Sequence, residues 1–276
     1  MSFRTKYCAV SVFGLMALIA AGGTAKGTEI IAHRGASYDA PENTLPAVKL
    51  GWEQNADAVE VDVHLSKDGR IVVMHDYDTA RTAGDPRKIT EQTFDELRRL
   101  DAGSWKDQKW AGTKIPALEE VIATIPPGRK KLFIEVKCGE EIVPDLKRVV
   151  ERSGKEKQLV VIAFSYEVVR SVKKEMPYLP VYWLYAFREL DGRPVLTHEA
   201  LVTRVKEAGL DGLDVSYKGP LTKEFMNQLR AANLGLYVYT VNNPDDARRL
   251  AVLGVTGITT DRPAYLRDAL SSAPQH

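Results

Sequence analysis

The sequence predicts an α/β protein, a closed (β/α)8 barrel. Two observations carry this. Eight apolar or β-branched runs alternate with segments of helical period, the pattern of a parallel sheet with helical crossovers. Eight such units in roughly 240 residues fit a closed barrel better than an open sheet. Several helical segments also begin after a turn or a proline, as helix starts prefer.

The elements follow in order. EIIAH (29–33) is the first strand, and TLPAVKLGWEQ (44–54), behind Pro41-Glu42-Asn43, the first helix. AVEVDVHL (58–65) is the second strand. Lys67-Asp68-Gly69 then signals a hairpin into IVVMHD (71–76). A polar stretch, 77–114, precedes IPALEEVIATI (115–125), which reads as helix. Residues 66–114 are therefore expected to be an insertion after strand 2, rising from the carboxyl-terminal mouth and belonging to the same domain. The remaining strands are KLFIEV (131–136), QLVVIAF (158–164), VYWLYAF (181–187), GLDVSY (212–217), LGLYVYTV (234–241) and GITTD (257–261). Thr222 to Ala232 and Pro244 to Leu253 are helices between the last three.

Residues 1–25 stand apart. Arg4 and Lys6 precede the apolar CAVSVFGLMALIAAG, and small residues follow as far as Ala25. That is a secretory signal peptide, cleaved after Ala25. Its apolar core of roughly 15 residues is short for a membrane span of about 20. The mature protein, 26–276, is expected to be exported to the periplasm or beyond, with no stable membrane anchor. The chain carries 38 Lys and Arg against 37 Asp and Glu, a net charge of +1. Without Arg4 and Lys6 the balance is slightly negative, so nothing global favours nucleic acid. Cys138 is alone once Cys8 has left with the leader, which excludes an internal disulfide.

The chemistry starts in AVEVDV. Glu60 and Asp62 are two apart on a strand, so they share a face. In a barrel wrapped by helices, Val59, Val61 and Val63 turn outward and the two acids turn to the axis. KLFIEVK repeats the device: Glu135 and Lys137 are two apart, with Phe133 beneath them. Three inward carboxylates repel one another unless a cation joins them. An all-oxygen set suits a hard ion, Ca²⁺ first and Mg²⁺ as the alternative. His33 and His75 sit at strand ends and titrate near neutrality. Arg34, beside the first, has the fork that holds a phosphate. His64 is read as facing away from Asp62, near the hairpin tip, and is left out of the site. Together the set describes phosphoryl-ester chemistry on a small-molecule phosphodiester.

At this point the sequence resembles the glycerophosphodiester phosphodiesterase family. HRGASYDAPENT, the E-x-D of Glu60 and Asp62 with SKDG and VVMHD, LDAGSW (100–105), IPALEE (115–120), IEVK (134–137) and GITTDRP (257–263) are similar to that family's motifs, in order. The resemblance implies a TIM barrel with an insertion after strand 2. It implies catalytic His33 and His75, metal ligands Glu60, Asp62 and Glu135, and substrate-binding Arg34 and Lys137. The implied reaction releases sn-glycerol-3-phosphate and an alcohol. Tyr77 and Tyr239 stand where the family commonly has Pro and Trp, which touches head-group preference. The alternatives are a lysophospholipase D-like or phosphoinositide phosphodiesterase, or a non-catalytic phosphodiester-binding protein. Lipid substrates would want an apolar rim, which Trp105, Trp110 and Ile115 are placed to supply.

Overall fold

The computed structural model describes residues 1, 27–190 and 193–271; the leader assignment therefore lies outside the described residues, apart from Met1. Eight parallel strands close on themselves. They are β1 (Glu29–Ala32), β2 (Ala58–Leu65), β3 (Lys131–Val136), β4 (Leu159–Ala163), β5 (Val181–Tyr185), β6 (Gly212–Ser216), β7 (Gly235–Tyr239) and β8 (Gly257–Thr260). Each pairs with the next, and β1 pairs with both β2 and β8, so no edge is left in the cylinder. A helix precedes each following strand and one ends the chain: α1 (Leu45–Glu53), α2 (Leu118–Ala123), α3 (Val143–Ser153), α4 (Tyr166–Glu175), α5 (His198–Glu207), α6 (Lys223–Ala231), α7 (Pro244–Leu253) and α8 (Pro263–Ser271).

The caps explain several boundaries. Thr44, Thr222 and Asn243 each accept a backbone N–H of the first helical turn through their side chains. Pro46 and Pro244 occupy positions where no helical N–H donor is needed. The expected helix 115–125 is shorter than its periodicity. Pro116 offers its carbonyl to Val73 N at 2.9 Å, and Ala117 bridges to Val72, so the first three residues are drawn into extended pairing.

Two cores result from strand alternation. Val59, Val61 and Val63 belong to the large core between barrel and helices. Ile31, Ala58, Phe133, Val160, Ile162, Leu184 and Tyr237 fill the barrel interior. Phe133 and Tyr237 meet edge-to-face at 5.0 Å, and the Tyr237 hydroxyl donates to Glu29 at 3.0 Å. This plug closes the amino-terminal end and leaves the polar residues of the axis at the other mouth.

Residues 66–117 lie between β2 and α2. The short strand Ile71–Val73 runs antiparallel to β2, and Met74 N donates to the Asp62 carbonyl at 3.0 Å. The return of the chain brings His75 back beside Asp62. Val72, Met74, Ile89, Leu97, Ala102 and Ile115 form a small core of their own here.

Candidate active site

Glu60 and Asp62 point into the barrel, and the β2–β3 register sets Asp62 opposite Glu135. Glu60, Asp62 and Glu135 each present an oxygen within 4.8 Å of the others, all three buried. Glu60 Oε1 and Asp62 Oδ1 have no hydrogen-bond partner. Burial, then the charges of Asp62 and Glu135, holds the Glu60 carboxyl well above its ordinary range. Burial and Asp62 push Glu135 up to about 7. Asp62 goes the other way: burial opposes its charge, but Arg34 and Lys137 outweigh it. Three buried carboxyls, two of them held above their ordinary range and two with an orphaned oxygen, fit a divalent cation held by oxygen.

The basic residues surround this triad. Arg34 Nε lies 3.2 Å from Asp62 Oδ2, and its Nη1 donates to Glu42 at 2.8 Å. Lys137 Nζ donates to Glu135 at 2.7 Å and lies 3.5 Å from Asp62. Arg34 takes a left-handed backbone, φ 54°, which aims its own N–H at Glu60 Oε2, 2.8 Å away. Such a conformation in an arginine costs about 1–3 kcal/mol, so the surroundings must impose it. Gly35 follows at φ 81°, and a Cβ there would come 2.4 Å from the Ala47 carbonyl carbon on α1. Gly35→Ala is expected to cost about 3 kcal/mol from the combined strain and overlap. A denaturation midpoint within experimental error of wild type would show that the turn relaxes freely.

Both histidines are tethered. His33 Nδ1 lies 2.6 Å from Asp261 Oδ1, and Asp261 also accepts from Ser37 and Asn242. Burial opposes the Asp261 charge, but the bond with His33 prevails and holds it down at about 2. His75 Nδ1 lies 2.7 Å from Asp76 Oδ1, whose other oxygen accepts from Arg81 at 2.7 Å. Arg81 also donates twice to Glu42, which joins the His75 arm to the Arg34 arm. Burial holds the His75 ring below the usual histidine range.

All seven expected residues thus meet at one mouth. The reading of His64 is corrected. It shares its face with Glu60 and Asp62, is 7% exposed, and pairs through Nε2 with the His75 carbonyl at 3.1 Å. β2 stays regular through Leu65, so residue 64 keeps the parity of 60 and 62. Asp261, Asp76, Glu42, Arg81 and Asn43 were not expected in the site. Asn43 clamps Asp62, donating to its Oδ2 at 2.7 Å and accepting its backbone N–H at 3.1 Å.

The profile of the glycerophosphoryl diester phosphodiesterase family matches residues 33–265. The chain belongs to this family. A glycerophosphodiester phosphodiesterase of Caldanaerobacter subterraneus subsp. tengcongensis is 32% identical over 87% of this chain and 96% of its own length. One of Bacillus subtilis is 31% identical over 84% and 83%. Among solved structures, an Oleispira antarctica phosphodiesterase in complex with the product sn-glycerol-3-phosphate superposes with a TM-score of 0.80. It is 28% identical and covers 89% of this chain and 98% of its own. The family's members here are glycerophosphodiester phosphodiesterases on closed barrels, and this chain is an enzyme of that kind.

Proposed function

We propose that this mouth hydrolyses glycerophosphodiesters to sn-glycerol-3-phosphate and an alcohol, by proton transfer between His33, His75 and the reacting oxygens. The observation that carries the reading is the convergence of three buried carboxylates with two tethered imidazoles. Glu60, Asp62 and Glu135 would hold the cation. A divalent ion there supplies charge for a phosphate oxygen and acidifies a bound hydroxyl. Ca²⁺ suits the flexible carboxylate set, with Mg²⁺ the second choice.

The protein's own groups do the rest. Lys137 and Arg34 border the triad and offer N–H donors to the non-bridging phosphate oxygens. With Nδ1 of each histidine engaged by a carboxylate, Nε2 is the nitrogen left to face substrate. Burial favours the neutral His75 ring, which fits it to accept a proton from the attacking oxygen. Asp261 stays charged beside His33 Nδ1 and orients the ring, which fits His33 Nε2 to protonate the departing alkoxide. Of the residues expected at an apolar rim for lipid substrates, Ile115 is 1% exposed and packs into the small core below, whereas Trp105 is 40% exposed.

The test is release of sn-glycerol-3-phosphate from glycerophosphocholine. Release should stop with EDTA and return with added Ca²⁺ or Mg²⁺. Binding of the diester with no product under any cation would make the protein a carrier instead. The leader's apolar stretch adds a further reading, export to the periplasm or medium. Fractionation that finds the protein in the cytoplasm with its first 25 residues attached would refute it.

A further inference from the structure

Below the triad lies a small cavity of about 30 Å³, lined by Glu60, Glu135, Ile162, Leu184, Asp214 and Tyr239 among others. Asp214, on β6, plays no part in the chemistry above. It is 1% exposed, and its Oδ1 has no hydrogen-bond partner. The Tyr239 hydroxyl, on the neighbouring β7, has none either. A phenol can donate one hydrogen bond and accept another, and a carboxyl oxygen can accept one. A buried polar group left unmatched costs stability, so these two are placed to hold a polar group that enters the cavity.

Size limits the occupant. A space of 30 Å³ admits one or two water-sized groups. A hydroxymethyl end fits; a trimethylammonium group does not. His33 and Phe164 also line the cavity, so it adjoins the catalytic groups as well as Glu60 and Glu135. Resting on the hydrolase reading above, we propose that Asp214 and Tyr239 bind the terminal hydroxyl of the glycerol moiety and so select glycerol esters over other phosphodiesters. The alcohol that leaves then stays outside, toward the rim.

The test compares two phosphates that differ by that hydroxyl alone, sn-glycerol-3-phosphate and propane-1,2-diol 1-phosphate. Calorimetry on the cation-loaded protein measures both. Wild type should bind the first about tenfold tighter, the effect of one satisfied buried hydrogen bond. Asp214→Val should bring the preference to within about twofold while leaving affinity for the diol phosphate nearly unchanged. Tyr239→Phe should lose part of it, and Asp214→Asn, which keeps an acceptor oxygen, should retain more than the valine variant. Asp214→Val should melt no lower than wild type, since it removes an unmatched buried carboxyl. A wild type without the preference, a valine variant that keeps it, or equal weakening of both ligands would each overturn the assignment. Turnover of glycerophosphocholine with no such preference sinks this inference alone. Intact preference with no turnover sinks the hydrolase reading instead.

Discussion

Replacing His33 or His75 by alanine is expected to cut turnover of glycerophosphocholine by about 10²–10⁴-fold while the protein still melts cooperatively near the wild-type temperature. The side chains are 18% and 30% exposed, so neither fills a core whose loss would unfold the barrel. Each is oriented by a carboxylate on its Nδ1, and that orientation is useful only if Nε2 has a task. The two variants should differ with the leaving group. If His33 protonates the departing alkoxide, His33→Ala should lose far less on a diester that releases p-nitrophenol, which departs without a proton. His75→Ala should lose as much on either ester, because the attacking oxygen is the same. The opposite pattern would exchange the two roles. Near wild-type turnover by either variant would remove that histidine from the reaction.

Much of this site was legible because strand parity is a strict rule. Glu60, Asp62 and Glu135 could be placed on the axis from their alternation with valines, and the register then set Asp62 beside Glu135. The same rule, applied consistently, places His64 inward too, two residues beyond Asp62 on the same strand face. Asp214 was legible by the same signal, a lone acid at an alternate position of GLDVS. Its partners come from other strands, and nothing local marks it as unpaired. Asp261 and His33 are 228 residues apart, so only closure of the barrel between β8 and β1 brings them together. The Glu42–Arg81 link is equally non-local, since it depends on the path of residues 66–117 over the mouth. The helix at 118–123 fell short of its periodicity because pairing with Ile71–Val73 outcompeted the first turn, where Pro116 contributes no N–H.

The carboxylates offer a test that needs no substrate. Glu135 sits at about 7 in the folded, cation-free protein, against an ordinary carboxylate in the unfolded chain. Between pH 4.5 and 7 the folded form therefore holds a proton that the unfolded form has released. Stability from this group is present at low pH and drains away as pH rises through that window. The His75 and His64 rings, held below the usual range, act in the opposite sense near pH 6, so the comparison must be with Glu135→Gln. In EDTA the melting temperature of wild type should fall between pH 5 and 7.5 relative to that variant, which has no carboxyl at position 135 to ionise. Adding Ca²⁺ should raise the wild-type melting temperature, and more at pH 7.5 than at pH 5, because the cation takes the place of the displaced protons. Glu135→Gln and Glu60→Gln should each raise the cation concentration needed for half-maximal activity by roughly 100-fold, at the upper end of what losing a supporting group costs a metal site. Parallel melting curves for wild type and Glu135→Gln, with and without cation, would mean that these three acids hold no ion. Their repulsion would then need another explanation than a metal centre.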